Sequence, residues 1–176
     1  MPRLATIDPA TATGKVKEIF DGPLKGKHLN IFKGMANSPA ALGAYLGLAG
    51  ALGAGLLSKA EHEAIQLAIG EANRCEYCTA AHTALGKAAG LTDAETLAAR
   101  RGRIESPRLG ALVKFVLTLQ EKRGSVSQAD LDAVRAAGFG DGHIAEAVAA
   151  YALAVYTNYF NHVNETVLDF PAAPKI

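Results

Sequence analysis

Residues 58–90 read SKAEHEAIQLAIGEANRCEYCTAAHTALGKAAG, and the fold turns on how this stretch is read. Ser58-Lys-Ala-Glu61 is a capping box. The Ser58 hydroxyl meets the backbone of Glu61, and the Glu61 carboxylate reaches back to the first free N–H, so a helix opens here. That helix is predicted to run to about Asn73. A new helix carries Cys75 to Ala89, with Gly90 as its C-cap. Two helices joined by so tight a connection fold back as a hairpin, which sets the residues of the first against those of the second.

Outward from this hairpin the same punctuation repeats. Ser38-Pro39 starts a helix to about Gly53, and Thr92-Asp-Ala-Glu95 is a second capping box, opening a short helix to about Arg100. Ser106-Pro107 opens a helix to about Lys122, Ser127 caps one to about Ala137, and Asp141 is predicted to cap the last, through about Val167. Toward the N-terminus, Gly14 to Asp21 reads as a short helix stopped by Gly22-Pro23, and Asn30 to Ala36 as a further turn or two. Strand periodicity is lacking. The expectation is an all-α protein of roughly eight helices: an N-terminal arm with short helices (1–37), a helical domain (38–168) and an apolar, proline-bearing tail (169–176) that lies against a neighbouring surface.

A weak internal echo crosses this plan. Glu63 to Cys78 reads EAIQLAIGEANRCEYC, and Glu146 to Asn161 reads EAVAAYALAVYTNYFN. Asn158 and Asn161 stand where the first copy has Cys75 and Cys78, which suggests one helical plan for both halves, with the chemistry in the first.

Composition bounds the function. The chain has 176 residues, 49% hydrophobic and 20% charged, with a net charge of +1. That balance suits a globular domain and gives no pull toward nucleic acid or an anionic membrane. The stretch from Ser38 to Leu57, rich in Gly and Ala, reads as a buried helix rather than a membrane span. The N-terminal segment has no apolar region of secretory type, so a cytoplasmic location is expected, where a lone CxxC is catalytic or metal-binding more often than structural.

The chemistry gathers at Cys75, Cys78 and His82. On one helix their offsets are i, i+3 and i+7, so they share a stripe. Cys75 stands at the helix start, where unpaired N–H groups favour a thiolate, and Cys78 lies one turn before His82. Glu63, on the preceding helix among small and apolar neighbours, is brought by the hairpin toward the Cys78–His82 turn. A partly desolvated carboxylate beside an imidazole can relay a proton to or from sulfur. Helix-start logic favours Cys75 as the attacking sulfur; proximity to His82 favours Cys78.

Other readings compete. A structural zinc needs four ligands, of which Cys75, Cys78 and His82 supply three, with His62, Glu63, His143 and His162 as candidates for the fourth. A purely structural disulfide closes too short a loop to stabilise much. Tyr159 and Phe160 read as core or subunit contacts, His162 as a satisfied polar group, His28 and His143 as incidental. Arg100, Arg101 and Arg103 read as a solvated helix end.

The pattern Glu63-x11-Cys75-x2-Cys78-x3-His82 resembles that of the alkylhydroperoxidase AhpD-like proteins of the carboxymuconolactone decarboxylase superfamily. Asn73, Tyr77 and the closing segment NHVNETVLDFP are also similar, and the resemblance covers most of the chain from about Pro39. It implies an AhpD-like helical bundle, reduction of hydroperoxides without cofactor or metal, a dithiol or lipoyl-type protein reductant, and homo-oligomers, commonly trimers or hexamers. By position, Cys78 would be the peroxide-attacking sulfur, Cys75 the resolving one, and Glu63 with His82 the relay. The well-studied members carry a histidine where Tyr77 stands, so Tyr77 is a possible relay or pocket residue. The decarboxylase branch lacks the CxxC. A rival of another class is a redox-responsive interaction or stress protein, in which the CxxC changes state with little turnover. Apolar groups in the tail (Leu168, Phe170, Ile176) fit a homo-oligomer.

Overall fold

A computed structural model describes residues 1–176. The chain is all-α, with nine helices and no strand: α1 Gly14–Asp21, α2 Asn30–Met35, α3 Pro39–Gly53, α4 Lys59–Ala72, α5 Glu76–Ala88, α6 Asp93–Arg100, α7 Pro107–Glu121, α8 Gln128–Ala136 and α9 Asp141–Asn164. Both capping boxes quoted above form, at Ser58/Glu61 and Thr92/Glu95. Ser127 makes a third with Asp130.

Helix α4 lies at the centre, packed against α5, α6, α7 and α9. Ala64, Ile65, Leu67, Ala68 and Ile69 are all fully buried, so the middle of this helix is apolar around its whole circumference. Truncating Ile65 to Ala would cost about 2–5 kcal/mol, because such a site cannot collapse onto the space left. The short α1 and α2 wall one side of the bundle. Val16, Ile19, Phe20, Ile31, Phe32 and Met35 share a core cluster with Cys75, Tyr77 and Cys78. The arm before them is tied down as well, by the Arg3 N–H to the Asn164 carbonyl (2.8 Å) and the Ile7 N–H to the Lys33 carbonyl (3.2 Å).

The α4–α5 turn positions the cysteines. Arg74 takes the left-handed conformation (φ 57°), its N–H bonds the Glu71 carbonyl (2.8 Å), and the Cys75 N–H bonds the Gly70 carbonyl (2.8 Å). These are the two bonds of a Schellman closure. Cys75 therefore ends α4 and is also the N-cap of α5. Asn73 pins the turn to two other helices: it donates to Asn158 Oδ1 on α9 (2.9 Å) and accepts from Gln120 Nε2 on α7 (2.9 Å). Gly70 lets the hairpin close, since a Cβ there would meet the Cys78 Cβ at 3.3 Å.

Some expectations change. Helix α9 is capped by Gly140, with Asp141 already inside the helix, and it stops at Asn164 because Glu165 turns left-handed (φ 49°). The two halves of the sequence echo differ locally: the first copy bends at Arg74, whereas the second continues straight through α9. Helix α3 is not a buried helix. Only Leu42 and Leu52 are buried, and Ala44, Gly47, Gly50 and Ala51 face outward; residues so small carry little apolar area, so their exposure costs little. Arg100 is not solvated. It is buried, bonded to Glu71 (2.8 Å) and to the carbonyl of Pro174 (2.6 Å). No helix is long and apolar enough to cross a membrane.

Candidate active site

Cys75 and Cys78 are joined in a disulfide, and both residues are 2% exposed. Cys78 sits in the first turn of α5, and its backbone N–H donates to Cys75 Sγ (3.2 Å). That donor, one of those a helix start leaves unpaired, would stabilise a thiolate at Cys75 in the reduced protein.

One turn past Cys78, His82 Nδ1 lies 2.8 Å from Glu63 Oε2. Both side chains are about four-fifths buried, at 19% and 18% exposure. The carboxylate can only accept when ionised, so Nδ1 carries a proton and Nε2 is the nitrogen left to exchange one. The hairpin thus joins Glu63 and His82 and sets them beside Cys78, with which they line one cavity of about 440 Å³. The remaining wall is largely apolar, including Ile31, Phe32, Leu52, Leu57, Leu153 and Phe170.

Tyr77 also lines this cavity, but its hydroxyl donates to Asp169 of the C-terminal tail (2.6 Å). Burial, reinforced by Asp169, pushes the phenol far above its ordinary value. A proton held so firmly is poorly suited to a relay; Tyr77 is a wall residue and an anchor for the tail. His162 is exposed on α9. Tyr159 is exposed as well, while Phe160 packs against the cysteine-side core. His28 and His143 each lie edge-on to a phenylalanine, Phe20 and Phe139. No three His, Cys, Asp or Glu side chains gather as a metal-holding group.

Two further cavity residues, Asn161 and Tyr45, have no role in the sequence reading, and His62 has one only as a candidate zinc ligand. Asn161 on α9 is buried and donates from Nδ2 to Cys78 Sγ (3.4 Å), with a longer approach to Cys75 Sγ (4.0 Å). The echo that aligned it with Cys78 was the available signal. His62, next to Glu63, has a buried Nε2 without a partner, and burial lowers its pKa, partly offset by the charges of Glu63 and Glu146. Tyr45 enters from α3, its phenol pushed up by burial and by the nearby Glu63 charge. Neither carries a spacing signature, because each arrives from its own place in the fold.

Residues 39–116, which run from α3 into α7 and include Glu63, Cys75, Cys78 and His82, match the carboxymuconolactone decarboxylase family model. The match spans less than half of the chain. The chain's AhpD-like fold is shared with solved structures. A peroxidase-related protein from Ralstonia eutropha JMP134, described as an alkylhydroperoxidase AhpD core, superposes with a TM-score of 0.85 at 24% identity, over 96% of this chain and 92% of that one. A peroxidase-related protein from Silicibacter sp. TM1040 gives 0.81 at 21% identity, over 94% and 89%. The debrominase Bmp8, solved as a cysteine-to-alanine variant in complex with 2,3,4-tribromopyrrole, gives 0.73 at 14% identity, over 95% and 91%. No curated protein matches the sequence. The cysteine pair is a closed disulfide at the edge of an apolar cavity.

Proposed function

We propose that the protein is a dithiol peroxidase that reduces organic hydroperoxides through the Cys75–Cys78 pair. One observation carries this reading: the Glu63–His82 hydrogen-bonded pair opens onto the same cavity as Cys78. In the reduced protein Cys78 passes its thiol proton to His82 Nε2, and the resulting thiolate attacks the terminal oxygen of the hydroperoxide. The O–O bond breaks, Cys78 becomes a sulfenic acid, and the departing alkoxide takes a proton from His82, which Glu63 holds in place. Cys75 then gives up its thiol proton and attacks the Cys78 sulfur as a thiolate; the S–O bond breaks, and the expelled hydroxide takes that proton and leaves as water. The disulfide holds the two electrons' worth of oxidation until a dithiol, free or lipoyl-type, reduces it. The apolar wall favours hydroperoxides with an alkyl or aryl body over hydrogen peroxide.

Leu168 and Ile176 of the tail are exposed, as are Tyr159, Val163 and Val167, and a homo-oligomer in the cytoplasm that covers such groups belongs to this reading. Light scattering across micromolar concentrations checks it; a monomer throughout contradicts it.

The test of the activity is steady-state turnover of cumene or tert-butyl hydroperoxide with a dithiol recycling system. Cys78→Ser abolishes turnover if the assignment is right; wild-type turnover in that variant defeats it. The Tyr77–Asp169 hydrogen bond favours a second reading, a redox-responsive interaction protein, because it connects the residue between the cysteines to the tail. Negligible turnover together with a redox-dependent change in assembly size would select that reading.

A further inference from the structure

The two sulfurs of the disulfide do not face the same space. Cys78 lines the apolar cavity with Glu63 and His82; Cys75 does not. Cys75 lines a second cavity of about 490 Å³, with Glu71, Arg74, Glu76, Thr79 and Arg100 around it and the tail residues Leu168 and 172–176 over it. No residue lines both cavities. The tail is held in place at two points. Asp169 accepts from the Tyr77 hydroxyl (2.6 Å) and from the Asn30 N–H (2.8 Å), and the Pro174 carbonyl accepts from Arg100 Nη1 (2.6 Å), itself anchored by Glu71 (2.8 Å).

We infer that this second cavity is the reductant's site, and that a slender dithiol enters beneath the C-terminal tail and attacks the disulfide at Cys75. The inference rests on the disulfide being one that is opened and closed in turnover. Three observations support it. A thiolate displaces sulfur in line, from the side opposite the leaving sulfur, so attack at Cys75 comes from the side away from Cys78. The sulfur that leaves must be stabilised and protonated; Cys78 has the Asn161 amide at 3.4 Å and shares its cavity with His82 and Glu63. Cys75, at 2% exposure under a tail, is out of reach of a CxxC on the face of a folded protein, whereas a small dithiol or one on a narrow arm can enter.

The step balances as two displacements. The first thiolate of the dithiol bonds to Cys75 Sγ, the Cys75–Cys78 bond breaks, and Cys78 leaves as a thiolate. The second thiol of the same dithiol, as thiolate, attacks its partner sulfur and releases Cys75 as a thiolate. The dithiol ends as a disulfide, and the protein has gained two electrons. Substrate and reductant thus use opposite sides of one bond.

The test starts from the oxidised full-length protein and involves no peroxide. A monothiol, 2-mercaptoethanol, is reacted briefly, the mixture is quenched in acid and alkylated, and the peptide following Arg74 is sequenced by mass spectrometry. The mixed disulfide is expected on Cys75 and the alkyl group on Cys78; the reverse placement would overturn the inference. A second arm compares reduction by dihydrolipoamide with reduction by thioredoxin, in the full chain and after deletion of residues 171–176, none of which is buried. Removing the roof should speed thioredoxin by at least about tenfold and change dihydrolipoamide by less than about threefold, since only the bulky thiolate is excluded. Equal effects on the two reductants would overturn it even where no adduct accumulates. Failure of peroxide turnover would count against the peroxidase reading and leave both of these measurements standing.

Discussion

Glu63 and His82 stand 19 residues apart in the chain and 2.8 Å apart in space, brought together because α4 and α5 form a hairpin around the Schellman turn at Arg74. Their contact gives the Glu63–Cys75–Cys78–His82 spacing a physical arrangement: a carboxylate from one helix fixes the tautomer of an imidazole on the next, one turn from a cysteine.

Glu63→Gln keeps the size of the side chain and removes its charge. Turnover of an organic hydroperoxide should fall by about 10²-fold or more, the usual scale for a positioned proton-transfer group, while the thermal midpoint changes little. Steady-state kinetics across pH beside a melting curve check this. An unchanged rate removes Glu63 from the relay.

Asn161 donates to Cys78 Sγ from a buried amide (3.4 Å). A hydrogen bond to a charged group is worth about 1.5–3 kcal/mol, so Asn161→Ala should raise the Cys78 thiol titration in the reduced protein by about one pH unit or more. Thiolate absorbance against pH reads this out, with Cys75→Ser as the background to isolate one sulfur. No movement of the midpoint would mean that the amide serves packing alone.

His62 gives a pH prediction with a definite sign. Burial lowers its pKa in the folded chain, with Glu63 and Glu146 pulling partly the other way; unfolded, it titrates near ~6.5. Between these values the unfolded chain binds a proton that the folded chain refuses. The stabilising contribution is therefore present above about pH 6.5 and is lost as pH falls through the folded value. Thermal midpoints from pH 8 to 5 should drop less steeply for His62→Gln than for the parent. Parallel curves would contradict this.

Arg74 holds a left-handed conformation where glycine is the usual occupant. Arg74→Gly relieves a backbone cost of roughly 1–2 kcal/mol and adds unfolded-state entropy of somewhat smaller size. The expected net gain is about 0.5–1 kcal/mol, measured by urea denaturation. A loss of stability would show that the arginine side chain contributes more than the strain costs.

The helices could be read from the sequence because their signals are local. The capping boxes at Ser58 and Thr92 and the Ser38-Pro39 start each form as expected. The Glu63–His82 contact was legible too, because a hairpin turn leaves few ways for two helices to face. Long-range placement was less so. Arg100 looked solvated because nothing nearby in sequence announces Glu71 or the tail carbonyl of Pro174. Asn161 reaches the sulfurs only because α9 crosses the hairpin, and composition made α3 look buried although its small residues face outward. The opposite outlooks of Cys75 and Cys78 depend on the path of the tail, which has no sequence period to read.

The most direct measurement of the central claim is a single turnover of the reduced protein with one equivalent of cumene hydroperoxide. In Cys75→Ser, where no partner can resolve the product, a sulfenic acid trapped with dimedone should be found on Cys78, with one equivalent of alcohol released. In the parent, the same equivalent should appear with the Cys75–Cys78 disulfide and no dimedone adduct. Alcohol formed with no modification of Cys78, or no alcohol formed at all, would contradict the account.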